Sequence, residues 1–265
     1  MKKLIVANWK NHPETLAEAG QILDTVDEYL GSLGEREMSL VFCPPFVFTE
    51  EVEKILNTSH LEHQAELGAQ DISVDDETAL TGDVSGPMLK KLGVRYVIIG
   101  HSERRWKLGE TDEIVNKKLK AALRNELVPI VCLGERTRLR SLGGQAHEWK
   151  DFLRQQAEAT FAGLSSDEAA RCLIAYEPVW AISTTPGARP DTPGSALESI
   201  GIIKEVLNTK YNIQNTIYYL YGGSVTSSNA RDFLGSEGID GVLVGGASIK
   251  RDEFVKILAI AAELK

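Results

Sequence analysis

Apolar residues along the chain fall into short unbroken runs. Between them lie longer stretches in which apolar residues recur every three or four positions. Lys3–Asn8 is the first run. Ser39–Cys43, Leu67–Gln70, Val94–Gly100, Val128–Gly134, Cys172–Glu177, Thr216–Gly222 and Gly241–Gly245 follow. Such runs predict strands of a parallel sheet buried on both faces, where apolar and polar positions need not alternate. The third, preceded by Glu66 and ending in Gln70, fits that pattern least well. Between the runs, Pro13–Leu33 sets Leu16, Leu23, Val26 and Leu30 near one face of a helix. Further helices are predicted over Thr49–Leu56, Ser85–Leu92, Asp112–Asn125, His147–Phe161, Gly194–Tyr211, Thr226–Leu234 and Arg251–Leu264. The last carries Phe254, Ile257, Leu258 and Ala261 at i, i+3, i+4 and i+7.

Strand followed by helix, repeated eight times, predicts parallel strands joined by right-handed crossovers. In 265 residues this fits one closed (β/α)8 barrel, an α/β fold occupying residues 1–265 as a single catalytic domain. A doubly wound open sheet is the alternative, but no GxGxxG follows the first strand. The densest Pro/Gly stretch, Thr184–Ser195, lies between the sixth strand and its helix. In a barrel that is a loop on the face that carries chemistry, and its length predicts a lid.

Composition narrows the field. Hydrophobic residues make up 43% and charged residues 25%, ordinary globular usage that excludes disorder as the main state. The longest apolar stretches, Leu40–Phe48 and Ile257–Ala262, fall far short of the ~20 residues of a membrane span, and Leu4–Ala7 is too short for a signal-peptide core. A net charge of −9 without a basic run argues against nucleic acid or an anionic membrane as partner. Cys43, Cys132 and Cys172 are widely spaced and suit neither zinc nor a CxxC pair, which predicts reduced thiols and a cytoplasmic protein.

Active sites of parallel barrels lie at the C-terminal ends of the strands, so the polar residues there matter most. The first strand ends Asn8-Trp9-Lys10, with Asn8 and Lys10 on the same side by alternation. Lys10 is either a cation for an anionic substrate or a surface lysine. The fourth ends Gly100-His101-Ser102-Glu103-Arg104-Arg105. His101 enters a helical turn whose exposed amides disfavour imidazolium, which makes it either a neutral electrophile or a cap within an ion-pair cluster. Glu103 is placed to pair with Lys10 or Arg104. The sixth ends Tyr176-Glu177-Pro178-Val179-Trp180, where a carboxylate after an apolar strand is either a base beneath a lid or a buried ion pair. The seventh and eighth end in Gly222-Gly223-Ser224 and Gly245-Gly246, placed where barrels bind phosphate. His60 and His63 read as a solvated loop and not a metal site, and His12 and His147 as surface residues.

Taken together, Asn8-Trp9-Lys10, Gly100–Arg105, Ala175–Ile182, Tyr221–Val225 and Leu243–Ser248, with Thr81-Gly82-Asp83-Val84-Ser85 and Cys132-Leu133-Gly134-Glu135, closely resemble the motifs of the triosephosphate isomerase family, in its order and over nearly the whole chain. That family is itself the usual example of the (β/α)8 TIM barrel and of a helix-end histidine kept neutral. The resemblance implies interconversion of dihydroxyacetone phosphate and D-glyceraldehyde 3-phosphate through an enediol(ate), a step of glycolysis and gluconeogenesis. It implies Glu177 as base, neutral His101 as electrophile, Lys10 and Asn8 as stabilisers of the developing charge, and Glu103 as their neighbour. It further implies phosphate held by amides around Ser183, Ser224, Gly245 and Gly246, a lid hinged at Pro178, Val179 and Trp180, and no metal or organic cofactor. A homodimer is implied too, with the Asp71–Ser85 loop carrying Thr81 toward the partner. Two departures stand out. The lid reads Ser183-Thr184-Thr185-Pro186-Gly187 where the family has Gly-Thr-Gly-Lys, and it is about three residues longer. Asn11-His12 replaces Met-Asn. The composition of the extra segment predicts exposed turns that project away from the pocket. Two alternatives stand beside this reading: the longer lid admits an isomerase of four-carbon ketose phosphates, and a non-catalytic sugar-phosphate binder would have lost Glu177, His101 or Lys10, all of which are present.

Overall fold

The computed structural model describes residues 2–33, 38–77, 79–138, 148–213 and 217–264. Eight parallel strands close into a barrel in chain order: β1 (Lys3–Asn8), β2 (Met38–Cys43), β3 (Ala65–Ala69), β4 (Tyr96–Ile99), β5 (Val128–Leu133), β6 (Leu173–Tyr176), β7 (Tyr219–Tyr221) and β8 (Gly241–Val244). Closure is made by β1 on β8, with Leu4 opposite Gly241 and Ala7 opposite Val244. Around the barrel run α1 (Leu16–Leu33), α2 (Thr49–Leu56), α3 (Gly86–Lys91), α4 (Ser102–Lys107), α5 (Asp112–Arg124), α6 (Glu148–Thr160), α7 (Ser166–Ala170), α8 (Pro193–Tyr211), α9 (Ala230–Leu234) and α10 (Arg251–Glu263). Among the described residues no helix is long and apolar enough to cross a membrane.

The core is double, because strand side chains alternate between two apolar environments. Leu4, Val6, Val41, Cys43, Ile98, Ile130, Cys132, Ala175, Leu220 and Leu243 fill the barrel interior. Their neighbours Ile5, Ala7, Phe42, Val97, Val131, Ile174 and Val242 pack outward against the helices. That is why the strands read as continuous apolar runs. The inward parity also carries past the strand ends, so Asn8, Glu177, Gly222 and Gly245 arrive at the mouth, where they line one cavity.

Element boundaries differ from the sequence expectation where a side chain intervenes. The first helix begins at Leu16, not Pro13, because Thr15 and Glu18 form a capping pair. Glu18 N–H donates to Thr15 Oγ1 at 3.3 Å, and the Thr15 amide donates to the Glu18 carboxylate at 3.2 Å. The segment after β7 turns on Asn229, which accepts from the Thr226 amide at 2.9 Å, so α9 starts only at Ala230. Two short helices, α4 and α7, were not separated from their surroundings by pattern. The first is capped by His101 and the second by a Ser165/Glu168 capping box. His60–His63 forms a 3-10 turn, and His147 lies outside the described residues.

Candidate active site

At the C-terminal end of the barrel lies a cavity of about 980 Å3. Asn8, Lys10, His101, Glu103, Glu177, Ser183, Ser224, Gly245 and Gly246 all line it. Glu177 follows β6 and is almost fully buried, at 2% exposure. Its backbone is admitted by Gly134, where a Cβ would lie 1.8 Å from the Glu177 carbonyl oxygen. Its carboxylate accepts from the Ser102 amide at 2.8 Å through Oε2, and Oε1 lies 3.0 Å from His101 Nε2. Burial alone would raise the carboxyl pKa, but His101, the Ser102 amide and Lys10 outweigh it and hold Glu177 below the ordinary range.

His101 occupies the N-cap position of α4, and its Nδ1 accepts from the Glu103 amide at 3.3 Å. With Nδ1 accepting, it is Nε2, the nitrogen that faces Glu177, that has a hydrogen to donate. Lys10 sits just beyond β1 in the left-handed region, φ 56°. Its amide donates to Asn8 Oδ1 at 3.1 Å, and its ammonium lies 3.2 Å from Glu103 Oε1. Burial pushes the Glu103 carboxyl up, but Lys10 and the neighbouring His101 and Lys107 more than offset this and lower it.

The glycine turn after β7 meets the segment read as a lid, and both glycine turns line the cavity. The Ser183 amide donates to Ser224 Oγ at 2.7 Å, and Ser248 holds the second turn by bonding the Gly245 carbonyl at 2.8 Å. The segment Pro178-Val179-Trp180, read from sequence as a lid hinge, rests on Glu135. Val179 N–H donates to the Glu135 carbonyl at 3.1 Å, Trp180 Nε1 to its carboxylate at 2.9 Å and the Tyr176 hydroxyl to the same oxygen at 2.8 Å. Of the lid, Ser183 and Thr184 line the cavity and residues 185–195 do not. Pro186, Gly187 and Pro190 are exposed. Arg189 instead folds back, donating its amide to the Trp180 carbonyl at 3.1 Å with its guanidinium 5.9 Å from that ring.

Thr81 is exposed on the loop after β3, some distance along the chain from the mouth. That loop is pinned by Asp76, which accepts from Arg124 Nε at 2.7 Å and Asn125 Nδ2 at 2.9 Å. His60 lies apart from the site, exposed, with Nδ1 3.2 Å from Asp27. His12 is exposed, as read from sequence, and also lines the cavity.

Three contributors were given no role by the sequence. Gln70 Nε2 donates to the carbonyls of Lys10 at 2.8 Å and Cys43 at 2.9 Å, holding the strained turn that presents Lys10. Glu135 supports the hinge. Arg105 bonds the Gly100 carbonyl at 2.7 Å and Asp112 at 2.5 Å, tying the end of β4 to α5. The oddity of Gln70 and Glu135 at apolar strand ends was the available signal.

A family model described as triosephosphate isomerase matches residues 3–261. The chain is 39% identical to the triosephosphate isomerase of Alkaliphilus metalliredigens, over 97% of this chain and 98% of that one. It is 42% identical to that of Moorella thermoacetica, over 97% and 98%. With that of Saccharopolyspora erythraea identity is 39%, over 98% and 96%.

Proposed function

Because the chain belongs to the triosephosphate isomerase family and interconverts dihydroxyacetone phosphate and D-glyceraldehyde 3-phosphate in glycolysis and gluconeogenesis, we propose that Glu177 is its catalytic base. The observation that carries this reading is the convergence of the Glu177 carboxylate, the His101 imidazole and the Lys10 ammonium on a single cavity that Ser183 and Thr184 also line. The reaction moves only protons, so a base, an oxygen-side donor and a fixed phosphate suffice. Glu177 takes a proton from the carbon beside the carbonyl and returns it to the neighbouring carbon. For this its carboxylate leaves the Ser102 amide for the substrate. Its lowered pKa keeps it ionised for that step. His101, donating through Nε2, polarises the carbonyl and carries a proton between the two oxygens. Lys10, with Asn8 beside it, stabilises the negative charge that grows there, and Glu103 keeps the ammonium in place.

The phosphate rests against the amides of Ser183, Ser224, Gly245 and Gly246, and the lid swings on Pro178, Val179 and Trp180. The protein works in the cytoplasm as a homodimer. Support for the dimer comes from apolar side chains left exposed, Phe46, Val47, Leu80, Met88 and Leu108, of which Leu80 stands next to Thr81 in the chain. The test is a coupled assay run in both directions with the two triose phosphates and with a four-carbon ketose phosphate. A higher kcat/KM for the four-carbon substrate would displace this reading.

A further inference from the structure

The two glycine turns at the mouth are carried by neighbouring strands whose pairing stops short of them. β7 and β8 are in register at Leu220 with Gly241 and at Tyr221 with Val242, and both turns lie past those residues. Each turn has its own internal bonds. After β7, Asn229 Oδ1 accepts from the Thr226 amide at 2.9 Å, and Asn229 Nδ2 donates to the Ser224 carbonyl at 2.9 Å. After β8, the Ser248 amide and hydroxyl each donate to the Gly245 carbonyl at 2.8 Å. These bonds shape each turn, and none of them crosses from one turn to the other.

Glu253, in the first turn of α10, makes that crossing. Its Oε1 accepts from the Ser227 amide at 2.6 Å and its Oε2 from the Ser227 hydroxyl at 3.0 Å. Both oxygens of one carboxylate hold one residue of the other turn, and bonds to a charged acceptor are the stronger kind. The Ser227 amide in turn holds the carboxyl below its ordinary range. Glu253 also lines the cavity, together with Thr226 and Lys250. In the wall of a cavity that takes a phosphate dianion, a carboxylate opposes the ligand by its charge. Lys256 and Lys250 beside it offset part of that opposition. What it contributes there is geometry.

We propose that Glu253 is a positioning residue for the isomerisation: bonded to Ser227, it sets the turn after β7 against the turn after β8, so that the amides of Ser224, Gly245 and Gly246 converge on one phosphate. This rests on the reading of those turns as a phosphate cradle. Donors already in place need no rearrangement when the ligand arrives, whereas turns free to shift singly lose affinity in being brought together. The phosphate takes no part in the proton transfers, so the cradle holds substrate and enediolate alike. Loosening it weakens both together, which raises KM and leaves kcat nearly unchanged. Charge alone demands the opposite, because a wall without the carboxylate would hold an anion more tightly.

The full-length chain tests this, with D-glyceraldehyde 3-phosphate as substrate and inorganic phosphate as a competitive inhibitor that probes the cradle without the triose. Glu253→Ala is expected to raise both KM and the Ki of inorganic phosphate about tenfold, with kcat within about threefold of the parent. Glu253→Gln keeps an acceptor for the Ser227 amide and should restore Ki to within about threefold of the parent. Ser227→Ala keeps the amide and loses the hydroxyl, so Ki should rise about threefold, and the change should add nothing in the Glu253→Ala background. A Ki unchanged or lowered in Glu253→Ala would overturn the proposal, as would a loss confined to kcat. Should Glu253→Ala fail to fold, Ser227→Ala decides, and an unchanged Ki there overturns the proposal too. A parent that isomerises trioses but is not inhibited by inorganic phosphate would overturn the reading of the cradle itself. Inhibition of the parent with no change in the variants would overturn the role of Glu253 alone.

Discussion

Lys10 owes its position to strain that its neighbours hold. A non-glycine residue at φ 56° persists only when its surroundings over-determine it. Here Asn8 fixes its amide, Gln70 its carbonyl and Glu103 its ammonium. Lys10→Ala should therefore fold and lose turnover by ~100–1,000-fold, the usual loss for one preorganised charge stabiliser. A coupled assay on the purified variant checks this, and near-parental kcat would remove Lys10 from its role. Glu177→Asp withdraws the base by about 1 Å, enough to cost ~100-fold or more in kcat, while the phosphate contacts that set KM stay in place. At this scale much was legible in the sequence, because parity along a strand carries to its end. Alternation put Asn8 inward and Trp9 outward, and Trp9 is indeed buried against Phe42 at 5.8 Å. Gln70 was not legible in the same way. Its partners are 27 and 60 residues away, and register between strands is not written in either one.

Elements that bury a long apolar stripe or run, such as α1, α10 and β1, followed directly from periodicity. The short helices α4 and α7 did not, because so short a helix completes too few turns to show a stripe, and caps and ion pairs decide it instead; α3 and α9, equally short, came out only within longer predicted stretches. The helix α4 is joined to its surroundings by charge. Lys118 of α5 lies 2.6 Å from both Asp71 and Glu110, while Arg104 of α4 reaches the same two carboxylates at 2.8 and 2.6 Å. Burial raises the pKa of Asp71, opposed by Lys118 and Arg104. Lys118→Met leaves two buried carboxylates with one cation, and breaking such a network typically costs about 3–5 kcal/mol. The sign of the pH dependence follows. Without the ammonium, the folded-state pKa of Asp71 rises further above its unfolded value, so the variant gains stability as pH falls through that raised value. Thermal melts should show a large deficit at neutral pH that narrows in acid. A deficit independent of pH would mean that the lysine stem, not its charge, carries the effect.

On the scale of the whole molecule, closure of the barrel leaves no sheet edge to pair, so the proposed association cannot proceed by strand pairing. The net charge of −9 on each copy opposes it, and apolar contact must supply the difference. Val47, 81% exposed between β2 and α2, keeps most of its side chain in water. A two-fold dimer repeats each contact. Burying one valine contributes ~2 kcal/mol, so two copies contribute about 4 kcal/mol, or ~1,000-fold in Kd at 1.4 kcal/mol per factor of ten. Val47→Asp removes that contribution and adds the cost of desolvating a carboxylate at each copy. Sedimentation at micromolar concentration should therefore show the variant as a monomer where the parent is a dimer. If Thr81 serves the partner's site as proposed, turnover of the variant should fall as well. A Val47→Asp protein that sediments as a dimer with parental kcat would place the interface elsewhere, and a monomer with parental kcat would separate association from catalysis.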